Sequence, residues 1–199
     1  MKFILQAMTS LYPPSAPTIE ALKEKVGLCL FRKKTLLVQA HCHAPMAYFI
    51  EKGITRSFWV VDGEEITTSF STEGSIVFSM DALYYNQTSE EYVEALEDVT
   101  AYRISLTALR ELFRTNIELA NWGRIIHQNE YRRLHRSHKE RLTLPARERY
   151  LNFTKQFPDV SRRVNLGYIA SYLGITPSTL SRLRAELVAG NHPKAPSGK

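Results

Sequence analysis

Residues 166–187, LGYIASYLGITPSTLSRLRAEL, constrain the fold more than any other stretch of this chain. Ile169, Ala170 and Leu173 fall on one helical face, and Ala170 is small enough to let a second helix approach closely. Gly174 follows where the chain must turn, in the left-handed backbone that is easiest for glycine. Ile175 fills the space beneath the turn, Thr176 is a good N-cap, and Pro177 suits the first position of a new helix. Leu180, Leu183 and Leu187 recur at spacings of three and four, which gives the second helix a buried stripe. Together these positions specify a helix-turn-helix. An ordinary helical hairpin would need the stripe, but not the small, glycine and capping residues in this register. The second helix, 177–187, then shows short hydroxyls and arginines outward, and these suit a helix that enters a major groove. The expected DNA-contacting residues are Thr176, Ser178, Thr179, Ser181, Arg182 and Arg184.

Charge is distributed to match. Residues 1–131 hold 12 Lys/Arg against 16 Asp/Glu, a net of −4, whereas residues 132–199 hold 14 against 4, a net of +10. A basic block that coincides with the motif is the footprint of phosphate binding, and double-stranded DNA is the expected partner. The acidic-leaning front half should avoid a polyanion and do something else.

Several classes drop out. No apolar run approaches the ~20 residues of a membrane span, so no membrane partner is expected. The opening MKFILQAMTSLYPP is too short in its apolar part for a signal peptide, and Cys29 and Cys42 do not make a disulfide framework. A cytoplasmic protein is expected. No phosphate loop, nucleophile elbow or paired carboxylates flanking a histidine stand out, so no enzyme is expected. The final GNHPKAPSGK is a polar tail expected to fray.

Upstream of the motif the composition turns to strands. After a helical lead-in over 18–26, strands are expected at 28–31, 35–39, 47–50, 54–61, 65–70, 76–78 and 100–105. Gly53 marks one turn, and Asp62-Gly63 is a strong hairpin signal. Many short strands with turn residues between them suggest an antiparallel barrel or roll. A long helix from Thr107 to about Arg141, without proline, precedes the break at Pro145. The fold class is therefore α+β: an antiparallel β-roll over 1–115, a long helix over 116–142 and a helix-turn-helix domain over 143–199.

This order resembles the Crp/Fnr superfamily of transcription regulators, and most closely its small members from Bacteroidetes-type bacteria. The resemblance is strongest in IASYLGITPSTLSRLR (169–184). It is supported by AYFIEKGITRSFWV (47–60), DGEEIT (62–67), EALEDVTAYRIS (94–105) and PARERYLNF (145–153). It implies a cyclic-nucleotide-binding-like sensory roll and a homodimer that reads an inverted repeat, with the long helix at the interface. Leu119, Trp122 and Ile126 have a/d-like spacing, and Asn129 continues the seam as a polar register residue. These four are the expected dimer contacts.

The sensory chemistry departs from the family. Cyclic-AMP-binding members carry a Gly-Glu pair opening a short helix, then an Arg that neutralises the phosphate. The corresponding 75–96 stretch, SIVFSMDALYYNQTSEEYVEAL, has neither, and Glu90 and Glu91 crowd the place of the Arg. Two carboxylates would repel a phosphate, so the roll is not expected to respond to cyclic AMP. An iron–sulfur sensor needs four cysteine ligands and the chain has two. His41-Cys42-His43 reads as a solvated loop rather than a metal site, and His127, His135 and His138 read as a polar helix face. No cofactor is expected, and any small-molecule effector is unidentified. The rival reading is a sensory or adaptor roll with a vestigial helix-turn-helix that binds DNA without sequence preference.

Overall fold

The computed structural model describes residues 1–190, and the tail from Asn191 on lies outside the described residues. Two helices, α1 (Lys2–Leu11) and α2 (Ala16–Lys23), open the chain. Eight strands follow: β1 (Gly27–Phe31), β2 (Leu36–Val38), β3 (Met46–Lys52), β4 (Thr55–Val61), β5 (Glu64–Ser71), β6 (Ile76–Val77), β7 (Tyr92–Ala95) and β8 (Val99–Ser105). They form two four-stranded antiparallel sheets, in the orders β1-β8-β3-β6 and β2-β7-β4-β5. The Asp62-Gly63 hairpin joins β4 to β5 as expected. Both turn residues have positive φ, 53° and 82°, the conformation of a type I′ turn.

The core of the roll collects Ala47, Phe49 and Ile50 from β3, Val93 and Ala95 from β7, and Ala101 and Ile104 from β8. A charged residue is buried as well. Arg56 on β4 bonds through Nε to Glu94 Oε2 of β7 at 3.0 Å, and through NH2 to Glu65 of β5. Its guanidinium carbon also lies 4.1 Å from the centre of the Phe58 ring. One side chain thus ties three neighbouring strands, and a buried arginine is tolerated because both carboxylates compensate it.

Three expectations need correcting here. The first is the helical start, expected only over 18–26: α1 precedes it and buries Ile4 and Met8 in the core. The second is β7, too short and too acidic to read as a strand, which the sheet recruits through pairing with both β2 and β4. The third is the single long helix, which is two helices: α3 (Leu106–Thr115) and α4 (Ile117–Thr143). The break is Asn116, in extended backbone at φ −124° and ψ 108°. Its N–H still donates to the Leu112 carbonyl, and its Oδ1 accepts from the Leu119 N–H at 3.0 Å. Asparagine closes one helix and caps the next without a glycine or proline to announce it.

The chain divides into two compact units within α4, after Ser137. The second unit contains the end of α4, then α5 (Ala146–Gln156), α6 (Pro158–Arg163), α7 (Leu166–Leu173) and α8 (Pro177–Gly190). Its core is aromatic and aliphatic: Phe153 lies 5.4 Å from both Phe157 and Tyr172, beside buried Val160, Ile169, Ala170, Leu173 and Leu180.

Candidate nucleic-acid interface and sensory site

Local sequence builds the helix-turn-helix residue by residue. Asn165 caps α7, its Oδ1 accepting from the Gly167 N–H at 2.7 Å. Ile169 and Ala170 are fully buried, so α8 can approach that face. Gly174 ends α7 at φ 65° and ψ 40°, and its N–H bonds to the carbonyls of Ala170 and Ser171. Only glycine takes that backbone without cost. Thr176 Oγ1 accepts the Thr179 N–H at 3.2 Å, the N-cap expected of it, and Leu180 is buried beneath.

The named residues divide into three roles. Ser178, Ser181 and Arg182 are exposed and, at 100° per residue, share one outward face with exposed Ala185. Thr179, half-buried, and Arg184, exposed, lie on the two flanks of the Leu180–Leu183 stripe. Thr176 spends its hydroxyl on the cap and on contacts at 2.9 Å to the hydroxyls of Ser178 and Thr179. One face therefore presents two hydroxyls and an arginine outward, with Arg184 at its margin.

The expected dimer seam does not survive as drawn. Leu119 and Trp122 are only 2% and 3% exposed within the single chain. Trp122 lies 6.0 Å from Phe49 of β3, and Phe113 of α3 packs where a Cβ on Gly123 would meet it at 3.0 Å. Ile126 is half-buried against the same core, and only Asn129 of the four is exposed. The apolar stripe of α4 is used by the roll itself. A different stripe of α4 faces outward: Ile117, Arg124, Gln128, Tyr131 and Leu134, of which Tyr131 is 72% exposed. Ile117, Arg124 and Tyr131 recur every seven residues, the spacing of a coiled-coil position.

In the roll, the stretch expected to depart from the cyclic-AMP pattern forms a π-helical turn, Asp81–Tyr85, ending in left-handed Asn86. It is tied down by the chain itself. Arg110 NH2 of α3 donates to the Ala82 carbonyl at 3.3 Å, and the Tyr84 hydroxyl shares a hydrogen bond with His127 Nε2 of α4. His127 also meets Phe78 edge-on, with centroids 6.0 Å apart. By spacing alone this histidine belongs to a polar helix face; only the tertiary contact reveals it. Burial holds its imidazole below the ordinary histidine value, with Glu130 opposing.

The two carboxylates differ from one another. Glu90 is exposed, and its N–H donates to Asp81 Oδ2 at 3.2 Å. Glu91 turns inward and accepts from Thr68 Oγ1 at 2.8 Å. Burial pushes its carboxyl above the ordinary value; the Thr68 hydrogen bond opposes this and the Asp81 charge adds to it. Ser69 on β5 pairs with Ser57, and Ser57 with core residue Val93, so Ser69 also sits on the inner side. There it accepts from Arg133 NH2 of α4 at 3.2 Å, while Arg133 Nε pairs with Glu130 at 2.8 Å. No arginine from the 75–96 stretch lies here, because that stretch contains none.

Comparison with known proteins places these features. Residues 28–116, which hold most of the roll, match the cyclic nucleotide-binding domain family. The fold is similar to those of several solved bacterial regulators. FixK2 from Bradyrhizobium japonicum superposes with a TM-score of 0.73 at 19% identity, over 87% of this chain and 89% of that one. A regulator of the crp/fnr family from Eubacterium rectale gives 0.70 at 14% identity, over 92% and 88%. The c-di-GMP-responsive global regulator CLP of Xanthomonas campestris gives 0.66 at 19%, over 91% and 96%. No curated protein matches the sequence. Among the described residues no helix is long and apolar enough to cross a membrane.

Proposed function

We propose that the chain is a Crp/Fnr-type transcription regulator that binds an inverted-repeat operator as a homodimer and does not respond to cyclic AMP. The observation that carries this reading is the α7–α8 geometry: a left-handed Gly174, a capped Pro177 start and an outward face of Ser178, Ser181 and Arg182. That face lies in the part of the chain with a net charge of +10. The similarity of fold to bacterial regulators adds to it.

The homodimer would form along the outward stripe of α4, with Ile117, Tyr131 and Leu134 as its apolar contacts. Arg124 in the same stripe bonds Gln128 at 3.0 Å, which satisfies part of its guanidinium beside a partner helix. Cyclic-AMP independence is supported by the inward Glu91 and by the missing arginine. The test is footprinting of the purified protein on genomic fragments, with and without millimolar cyclic AMP. Protection of a pseudo-palindrome with half-sites about one helical turn apart, unchanged by the nucleotide, is expected. Diffuse protection without a palindrome would favour the adaptor reading, in which the basic unit binds phosphate alone.

A further inference from the structure

The 75–96 stretch and the inner side of the roll carry several polar groups that bond within the chain itself. Thr68 bonds Glu91, the Glu90 N–H bonds Asp81, and the Ala82 carbonyl accepts from Arg110. Helix α4 enters this set twice. His127 meets Tyr84 of the π turn, and six residues later Arg133 reaches Ser69 on β5. These contacts stand on two different elements of the roll, one on the π turn and one on the sheet. The Arg133 side chain is only 16% exposed, and Glu130 one turn earlier holds its Nε. The guanidinium is therefore pre-oriented towards the hydroxyl rather than swinging in solvent.

We propose that α4, up to Ser137, is latched onto the roll by two side-chain contacts of its own, Tyr84–His127 and Arg133–Ser69, so that its placement needs no bound small molecule. The physical ground is that a ligand shifts a helix only by making contacts that differ between two positions. Here contacts of that kind are already made by residues that are always present. The proposal rests on the reading of the roll as the sensory half of a regulator, and it adds that this half is self-sufficient. Arg133 and His127 act as positioning residues.

Hydrogen exchange of the whole chain, measured without DNA, separates the two questions. The proteins are wild type, Arg133→Ala, Ser69→Ala, the double variant and Tyr84→Phe, each with and without millimolar cyclic AMP. Amides of 124–136 should exchange about 5- to 30-fold faster in Arg133→Ala, the factor that a loss of about 1–2 kcal/mol brings. The double variant should be no faster than Arg133→Ala alone, because both remove one contact. Tyr84→Phe should loosen the same segment and the π turn together, and cyclic AMP should change nothing in wild type. Unchanged exchange in Arg133→Ala, additive effects in the double variant, or added protection of α4 by cyclic AMP would each overturn the latch. None of these readouts involves an operator, so failure to footprint would leave them standing.

Discussion

Two substitutions on α4, nine residues apart, should behave in opposite ways. Trp122 is buried against Phe49 in the roll core. A fully buried tryptophan removes roughly 150–250 Å² from water, worth about 4–6 kcal/mol at 25 cal/mol per Å². Trp122→Ala should therefore cost about 3–5 kcal/mol of chain stability, a large part of the total for a domain of this size. Tyr131, 72% exposed, contributes little to its own chain, and Tyr131→Glu should cost less than about 0.5 kcal/mol there. If the outward stripe is the seam, however, Tyr131→Glu places like charges opposite each other and dissociates the dimer. Urea denaturation of each variant, paired with sedimentation across micromolar concentrations, reads both quantities. A Tyr131→Glu protein that stays dimeric would refute the outward stripe. A Trp122→Ala protein of native stability that becomes monomeric would restore the seam through Leu119 and Trp122.

Other expectations concern single residues. Arg182→Ala should lose about 1–3 kcal/mol on the cognate operator and relax one base position, while Arg184→Ala should weaken all DNA alike; quantitative gel shifts on cognate and random duplexes tell them apart, and equal losses for Arg182→Ala would make it a phosphate contact. Gly174→Ala meets no atom within 4 Å, so its cost is backbone alone, about 1 kcal/mol, and Gly174→Asn should cost less; a loss above ~3 kcal/mol in thermal unfolding would mean a clash. Burial lowers the pKa of His127, so the unfolded chain takes up a proton there more readily than the folded one. Stability should fall as pH drops below the ordinary histidine value near ~6.5, and His127→Gln should flatten that slope in denaturation runs between pH 7.5 and 5; an identical slope in the variant would remove His127 as its source.

Much of the outline was legible because it depends on neighbours in sequence. The turn at Asp62-Gly63, the stop at Gly174, the start at Thr176-Pro177 and the leucine stripe of α8 each follow from backbone preference or period within a few residues. What period cannot say is which body an apolar stripe packs against. Leu119, Trp122 and Ile126 were correctly read as one apolar face of a helix and assigned to a second chain, whereas α4 presses that face onto Phe49 and Phe113. The free stripe, Ile117 to Leu134, is half polar and gives no hydrophobic signal of its own. β7 exists only because β2 and β4 flank it, and the Asn116 break only because a short polar side chain found two backbone partners.

The roll divides in the same way. Sequence alone determined that no arginine and no Gly-Glu pair stand in the 75–96 stretch, because absence of a residue type is complete information about charge. Only the tertiary structure decided that Glu91 turns inward to Thr68 while Glu90 stays in solvent, and that His127 and Arg133 leave the polar face of α4 for Tyr84 and Ser69. Those partners lie 23 to 64 residues away along the chain. Local propensity has no term for such distances; they are set when two sheets and four helices close over a common core.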